Sequence, residues 1–408
     1  MNKKILKKYA HLLIKKGINV QKGQEVIIMA DLDQPEFVKL CVEEAYKAGA
    51  AYVSVEWNYP EIAKLTINNA SYERLAQFTD IEKAKWEYKV SKMPCLLYIE
   101  SSDPDALKGI NQEKNTKIRS AKFQYIKHYR DQIDNKYQWC IAAVPSVAWA
   151  EKVFPGDKGN KAVKKMWDAI LSTSRVNGNP CKAWDEHNRV LAEKCDYLNS
   201  LQLKTLHYKA SNGTDLTVGL LDNVLWMGGG EHAQGSGIYF NPNIPSEECF
   251  TSPKKGEAEG IVHSSKPLSY NGEIIDKFWI RFEKGKAVEW GAEQNADLLG
   301  KMLTIDENAG YLGECALIPY DSPINNTGIL FYNTLFDENA SCHLAIGRGF
   351  TNLVKDYDKY TLEELNNMGI NYSLTHVDFM IGTDDLCIEG ETYDGKKVTI
   401  FKDGNWAF

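Results

Sequence analysis

Several features are missing, and each absence removes a class of protein. No run of 18 apolar residues occurs, so no membrane-crossing helix is expected. There is no basic excess: 48 Lys and Arg stand against 55 Asp and Glu, a net charge of -7. A sequence-independent grip on nucleic acid needs a basic face to displace counterions, so none is expected. The 9 cysteines include no C-x-x-C pair, which removes zinc-ribbon and thioredoxin-like readings. An odd number of scattered thiols without a secretory leader reads as reduced and mostly buried, which places the protein in the cytoplasm. No G-x-G-x-x-G follows an early strand-like run, and no G-x-x-x-x-G-K-[ST] exists. The glycines at 228–230, 235 and 237 read as a flexible loop. A phosphate cradle would need a helix N-terminus after them, and Ile238-Tyr-Phe240 looks extended. Internal repeats and low-complexity tracts are absent as well.

What is present is a core-forming chain. Of 408 residues 43% are hydrophobic, with 10 Trp, 21 Tyr and 14 Phe, enough apolar surface to offset the ordering entropy. At roughly 150 residues per domain the length suggests two or three domains. The opening helix carries Ile5, Leu6, Tyr9, Leu12 and Leu13 on one face, with lysines on the wet side. Strand-like runs at Glu25–Ala30, Ala51–Trp57, Cys95–Glu100 and Gln138–Val144 alternate with helical stretches. That alternation suggests βαβ units and a largely parallel sheet. From about Leu201 the pattern changes to short alternating runs separated by Gly, Asn, Asp and Pro, with one helix near 292–303. The expected fold class is therefore α/β. An N-terminal α/β domain, residues 1–195, precedes a β-rich, mostly antiparallel domain, residues 196–408.

The chemistry gathers in the second half. His376 and Asp378 are two apart in a strand-like run, so both project from one face. An imidazole beside a carboxylate suits a divalent metal, although a hydrogen-bonded pair alone is the commoner reading. His343 opens an apolar run followed by small residues. Cys342 next to it does not make a nucleophile–base pair, because neighbours on a strand point apart. Glu314 stands in an otherwise apolar run, where a charge needs a cation, either Lys, Arg or a metal. Glu247 and Glu248 lie between prolines at 245 and 253. Glu248, Glu314, His343, His376 and Asp378 together form a hard-to-borderline donor set. It suits paired Zn, Co, Mn or Mg ions, provided one carboxylate bridges them.

Four motifs then occur in order: Asn243-Ile-Pro-Ser-Glu-Glu-Cys-Phe-Thr-Ser-Pro253, Gly313-Glu-Cys-Ala-Leu317, Asn333-Thr-Leu-Phe-Asp-Glu-Asn-Ala-Ser-Cys-His343 and His376-Val-Asp-Phe-Met-Ile-Gly382. With the opening Lys8–Gly23 segment, they make the chain resemble, nearly end to end, the M29 family of metallo-aminopeptidases. The resemblance implies metal ligation by Glu248, Glu314, His343, His376 and Asp378, with Glu314 bridging. It also implies release of N-terminal residues from peptides and a homodimer. Glu247 is the candidate general base, against the plainer reading of a solvated neighbour. Well-known members of that family carry a tyrosine seven positions after the first ligand histidine, where this chain has Phe350. Two rival classes stay open: a dinuclear phosphoesterase, for which Arg348, in Gly347-Arg-Gly-Phe350, is the obvious candidate cation, and a non-catalytic binding protein on the same fold.

Overall fold

The computed structural model describes residues 2–101 and 103–408. The chain forms two compact units, Met1–His187 with Gly230–Pro245, and Asn188–Gly229 with Ser246–Phe408. The division falls inside the helix Pro180–Leu201. A single cut between 195 and 196 leaves out the excursion of residues 230–245.

The first unit is built on a five-stranded sheet. Its order is Asn243–Ile244, Trp139–Ala143, Cys95–Glu100, Glu25–Asp31, Tyr52–Asn58, and every pairing is parallel. Val26, Ile27 and Ile28 are buried in succession, as are Cys95, Leu96 and Leu97. Consecutive burial demands cover on both faces, the normal condition of a parallel sheet. The helix Pro35–Ala48 buries Phe37, Val38, Cys41 and Ala45 and begins with proline, whose fixed φ suits a first turn. The glycine segment read as a loop contains a short antiparallel ladder, Glu231–His232 with Tyr239–Phe240. Strands of two residues carry no alternation that sequence can reveal.

The second unit holds two larger antiparallel sheets. The eight-stranded one runs Lys286–Gly291, Trp279–Glu283, Pro253–His263, Asp215–Leu220, Leu203–Lys209, Cys387–Thr392, Lys397–Lys402, Asn405–Trp406. Its inward residues, among them Leu206, Tyr208, Val218, Ile280 and Phe282, alternate with outward polar ones. The five-stranded sheet runs His376–Met380, His343–Gly347, Leu312–Leu317, Cys249–Thr251, Met227–Gly228. Leu317, Leu344, Ile346 and Phe379 enter the same core as the eight-stranded sheet. Each such side chain contributes about 1.5–3 kcal/mol by leaving water. This core covers one face of the five-stranded sheet, and the polar residues of its strands stand on the other.

Candidate metal centre

Strand pairing explains why distant residues meet. Glu314 lies opposite Ala345, and Ala345 opposite Asp378. Further along the same strands, Ala316 lies opposite both His343 and Phe250, and Gly347 opposite His376. A period of two sets Glu314, His343, His376 and Asp378 on one face. Their cross-strand neighbours there are Ala316, Ala345 and Gly347, small residues that leave space between larger polar groups. Glu248 enters from the residue just before Cys249–Thr251 and is 7% exposed.

The opposite parity is inert. Cys249, Cys315 and Cys342 face the core, and burial pushes the thiols of Cys315 and Cys342 up to about 12. They pack as small apolar residues behind the ligand face.

Two groups of ligand atoms form, each within 4.8 Å: Glu248, Glu314 and His343, and Glu314, His376 and Asp378. Glu314 belongs to both. His376 Nε2 is 3.1 Å from both Glu314 and Asp378, and His343 Nε2 is 3.6 Å from Glu248 and 3.9 Å from Asp378. Each imidazole is aimed by its other nitrogen. His343 Nδ1 lies 2.8 Å from the Glu338 carbonyl and His376 Nδ1 2.7 Å from the Arg348 carbonyl. A carbonyl only accepts, so each Nδ1 donates and each Nε2 is turned toward the cluster, the usual support for a metal-binding histidine. Two glycines allow this approach. A Cβ on Gly313 would sit 2.3 Å from the Arg348 carbonyl oxygen. Gly347, at φ +96°, would place one 2.1 Å from the Thr375 carbonyl oxygen.

The electrostatics are those of a cation site. Burial, then the charges of Glu314 and Asp378, raise the Glu248 carboxyl well above its ordinary range. Burial disfavours the charged form of His376, yet Asp378 and Glu314 hold that imidazole well above its usual value. Burial likewise works against the Asp378 carboxylate, but His376 and then His343 bring it down to about 2. Acids this close compete for ionisation unless a cation sits among them. The buried carboxylates and paired imidazoles thus fit the divalent metal that such a donor set implies.

Glu338 is the residue that sequence reading missed. Its carboxyl is hydrogen-bonded to Asp378 and lies close to Glu248 and Glu314; burial and these charges push it well above the carboxylate range. The available signal was an acid five residues before His343. It stands on a 3-10 turn, Glu338–Ala340, where no period of two singles it out. Beside it, the buried Asp337 accepts the backbone N–H groups of Phe331 and Asn333 at 2.8 and 3.0 Å. Glu247 is buried, and its backbone N–H donates to Asn339 at 2.7 Å. Phe350 places its ring 5.0 Å from the His376 ring and 5.7 Å from that of Phe250. Arg348 lays its guanidinium 5.8 Å from the Tyr372 ring centre.

Fold and donor set together describe a metal-dependent hydrolase. Residues 2–406 match the model of the thermophilic metalloprotease family M29, and the chain belongs to that family. It is 44% identical to aminopeptidase AmpS of Bacillus subtilis, over 99% of this chain and 98% of that protein. It is 38% identical to aminopeptidase T of Thermus thermophilus, over 99% of both. The solved structure of wild-type AmpT from Thermus thermophilus superposes with a TM-score of 0.89 at 36% identity, covering all of both chains. The protein is accordingly an enzyme, a metallo-aminopeptidase. The expected α/β class and the split between a parallel and an antiparallel part are those of the structure. Among the described residues, no helix is long and apolar enough to cross a membrane.

Proposed function

We propose that the enzyme removes the N-terminal residue from peptides at a centre of two divalent ions. Glu248, Glu314 and His343 would hold one ion and Glu314, His376 and Asp378 the other, with Glu338 completing the acid shell. The observation that carries this reading is the presence of Glu314 in both ligand groups. Bound there, divalent ions supply a lowered pKa for water and polarisation of a carbonyl oxygen.

The chain's own residues do the rest. His343 and His376 keep Nε2 fixed by donating from Nδ1. The carboxylates of the cluster hold the substrate's α-amine, which restricts attack to the first peptide bond. Glu247, buried beside Glu248, takes the proton of the attacking water at a carboxylate oxygen and returns it to the leaving amine. Phe250 and Phe350 give the site an apolar wall against His376.

The ions are drawn from Zn, Co, Mn or Mg. Residence in the cytoplasm is supported by nine free thiols, most of them buried. A homodimer is supported by exposed Trp57, Ile62, Leu65 and Ile81, apolar area that association would cover; sedimentation of the intact protein tests it. Activity is tested with metal-reconstituted enzyme, a free-amine peptide and its N-acetylated twin. Cleavage of the free-amine peptide alone, lost with chelator, is the expected result. Equal cleavage of both would remove the aminopeptidase assignment.

A further inference from the structure

We propose that Asn339 is a positioning residue that locks two acid-bearing segments of the site to each other. The inference rests on the metal reading above and concerns what holds its ligands in place. Asn339 is 0% exposed and sits in the turn Glu338–Ala340. Its side-chain oxygen accepts the Glu247 backbone N–H at 2.7 Å, one residue from Glu248. Its side-chain nitrogen donates to the Leu335 carbonyl at 3.0 Å and to Glu338 Oε1 at 3.3 Å.

Only an amide of this length meets all three demands. One acceptor and two donors are needed on a single planar group. Aspartate keeps the acceptor and loses both donors. Serine lacks the reach to serve both sides. The consequence is geometric: the backbone that delivers Glu248 and the carboxylate of Glu338 are set by one buried group. Neither segment can shift independently of the other. The same turn lends the Glu338 carbonyl to His343 Nδ1 at 2.8 Å. Three site residues from two segments therefore depend on how this turn is seated. Asp337 holds the turn from its other side, through the N–H groups of Phe331 and Asn333.

The test is the affinity of metal-stripped full-length protein for Zn²⁺, measured by competition with a chromophoric chelator, together with kcat and KM. Outer contacts of this kind are worth about 10–100-fold in metal affinity. Asn339→Ala is expected to weaken Zn²⁺ binding by that factor and to lower kcat more than KM changes. Asn339→Asp, nearly the same shape, is expected to weaken it as well, because the two donations are gone. Circular dichroism of the metal-free variants separates this from unfolding; should the alanine variant not fold, the aspartate variant decides. Wild-type Zn²⁺ affinity and kcat in a folded Asn339→Asp would overturn the inference and leave the metal reading intact. Wild-type protein that takes up no ion would overturn both.

Discussion

Two His–Asp pairs among the described residues of the second unit lie at hydrogen-bond distance, and only one of the two belongs to the candidate site. His207 Nε2 and Asp215 are 2.7 Å apart on the eight-stranded sheet, with side chains 37% and 59% exposed. His376 Nε2 and Asp378 are 3.1 Å apart on the five-stranded sheet, at 25% and 11%. The first pair is diagonal across two antiparallel strands and the second lies two apart on one strand, yet both reach hydrogen-bond distance. What differs is where the polar face points. On the eight-stranded sheet it meets water, which screens the pair and makes it worth little. On the five-stranded sheet it meets Glu314, Glu248 and Glu338, and desolvation adds to their repulsion. A group of ionisable residues becomes a site when water cannot stabilise it and a cation can.

That contrast is broken most strongly at Glu314. Glu314→Ala removes the residue common to both ligand groups, and is expected to cut activity to the level of chelator-treated enzyme; elemental analysis of the purified variant checks the accompanying ion loss. Next is Glu247→Gln, expected to lower kcat by about 10²–10⁴ while ion content stays at the wild-type value. Loss of ions in that variant would instead make Glu247 a structural part of the ligand shell. Phe350→Tyr puts a phenol beside His376. A new hydrogen bond to the developing oxyanion is expected to raise kcat by about 10–100-fold, since bonds to charged groups are worth about 1.5–3 kcal/mol.

Stability sharpens the comparison further. In metal-free enzyme Glu248, Glu338 and His376 are held above their ordinary values. The folded state then binds more protons than the unfolded chain, so stability falls as pH rises above the ordinary carboxylate range and on through the raised folded-state values. Asp378, down at about 2, acts in the opposite direction, with its contribution lost as pH falls through that value. Thermal melts of chelated enzyme check the sign, and added metal is expected to raise Tm more at the higher pH. The smallest effect belongs to His207→Ala, expected to change stability by less than about 1 kcal/mol and to leave kcat/KM unchanged.

How much of this was legible follows from periodicity. Some strands announce themselves: Glu25–Asp31, Cys95–Glu100 and His376–Met380 fall within a residue or two of their apolar or alternating runs, whereas Leu203–Lys209 and Pro253–His263 are broken by bulges and were not singled out. Glu314, His343, His376 and Asp378 could be nominated because a polar residue in such a run has to be satisfied. Their convergence could not be, since the rows joining Glu314 to Ala345 and Ala345 to Asp378 are set by tertiary pairing. Glu338 and Asn339 were hidden for a different reason. They occupy a single irregular turn, where spacing says nothing about direction. The excursion of residues 230–245 into the first unit was hidden likewise, because Asn243–Ile244 is two residues long and pairs with a strand about a hundred positions earlier.

The most direct measurement of the central claim is ion stoichiometry of the metal-reconstituted enzyme by native mass spectrometry, read beside Glu314→Ala. Two divalent ions per wild-type chain, and loss of both in the variant, are expected. One ion in each would contradict the claim, because the site would then be mononuclear and Glu314 would not join its two halves.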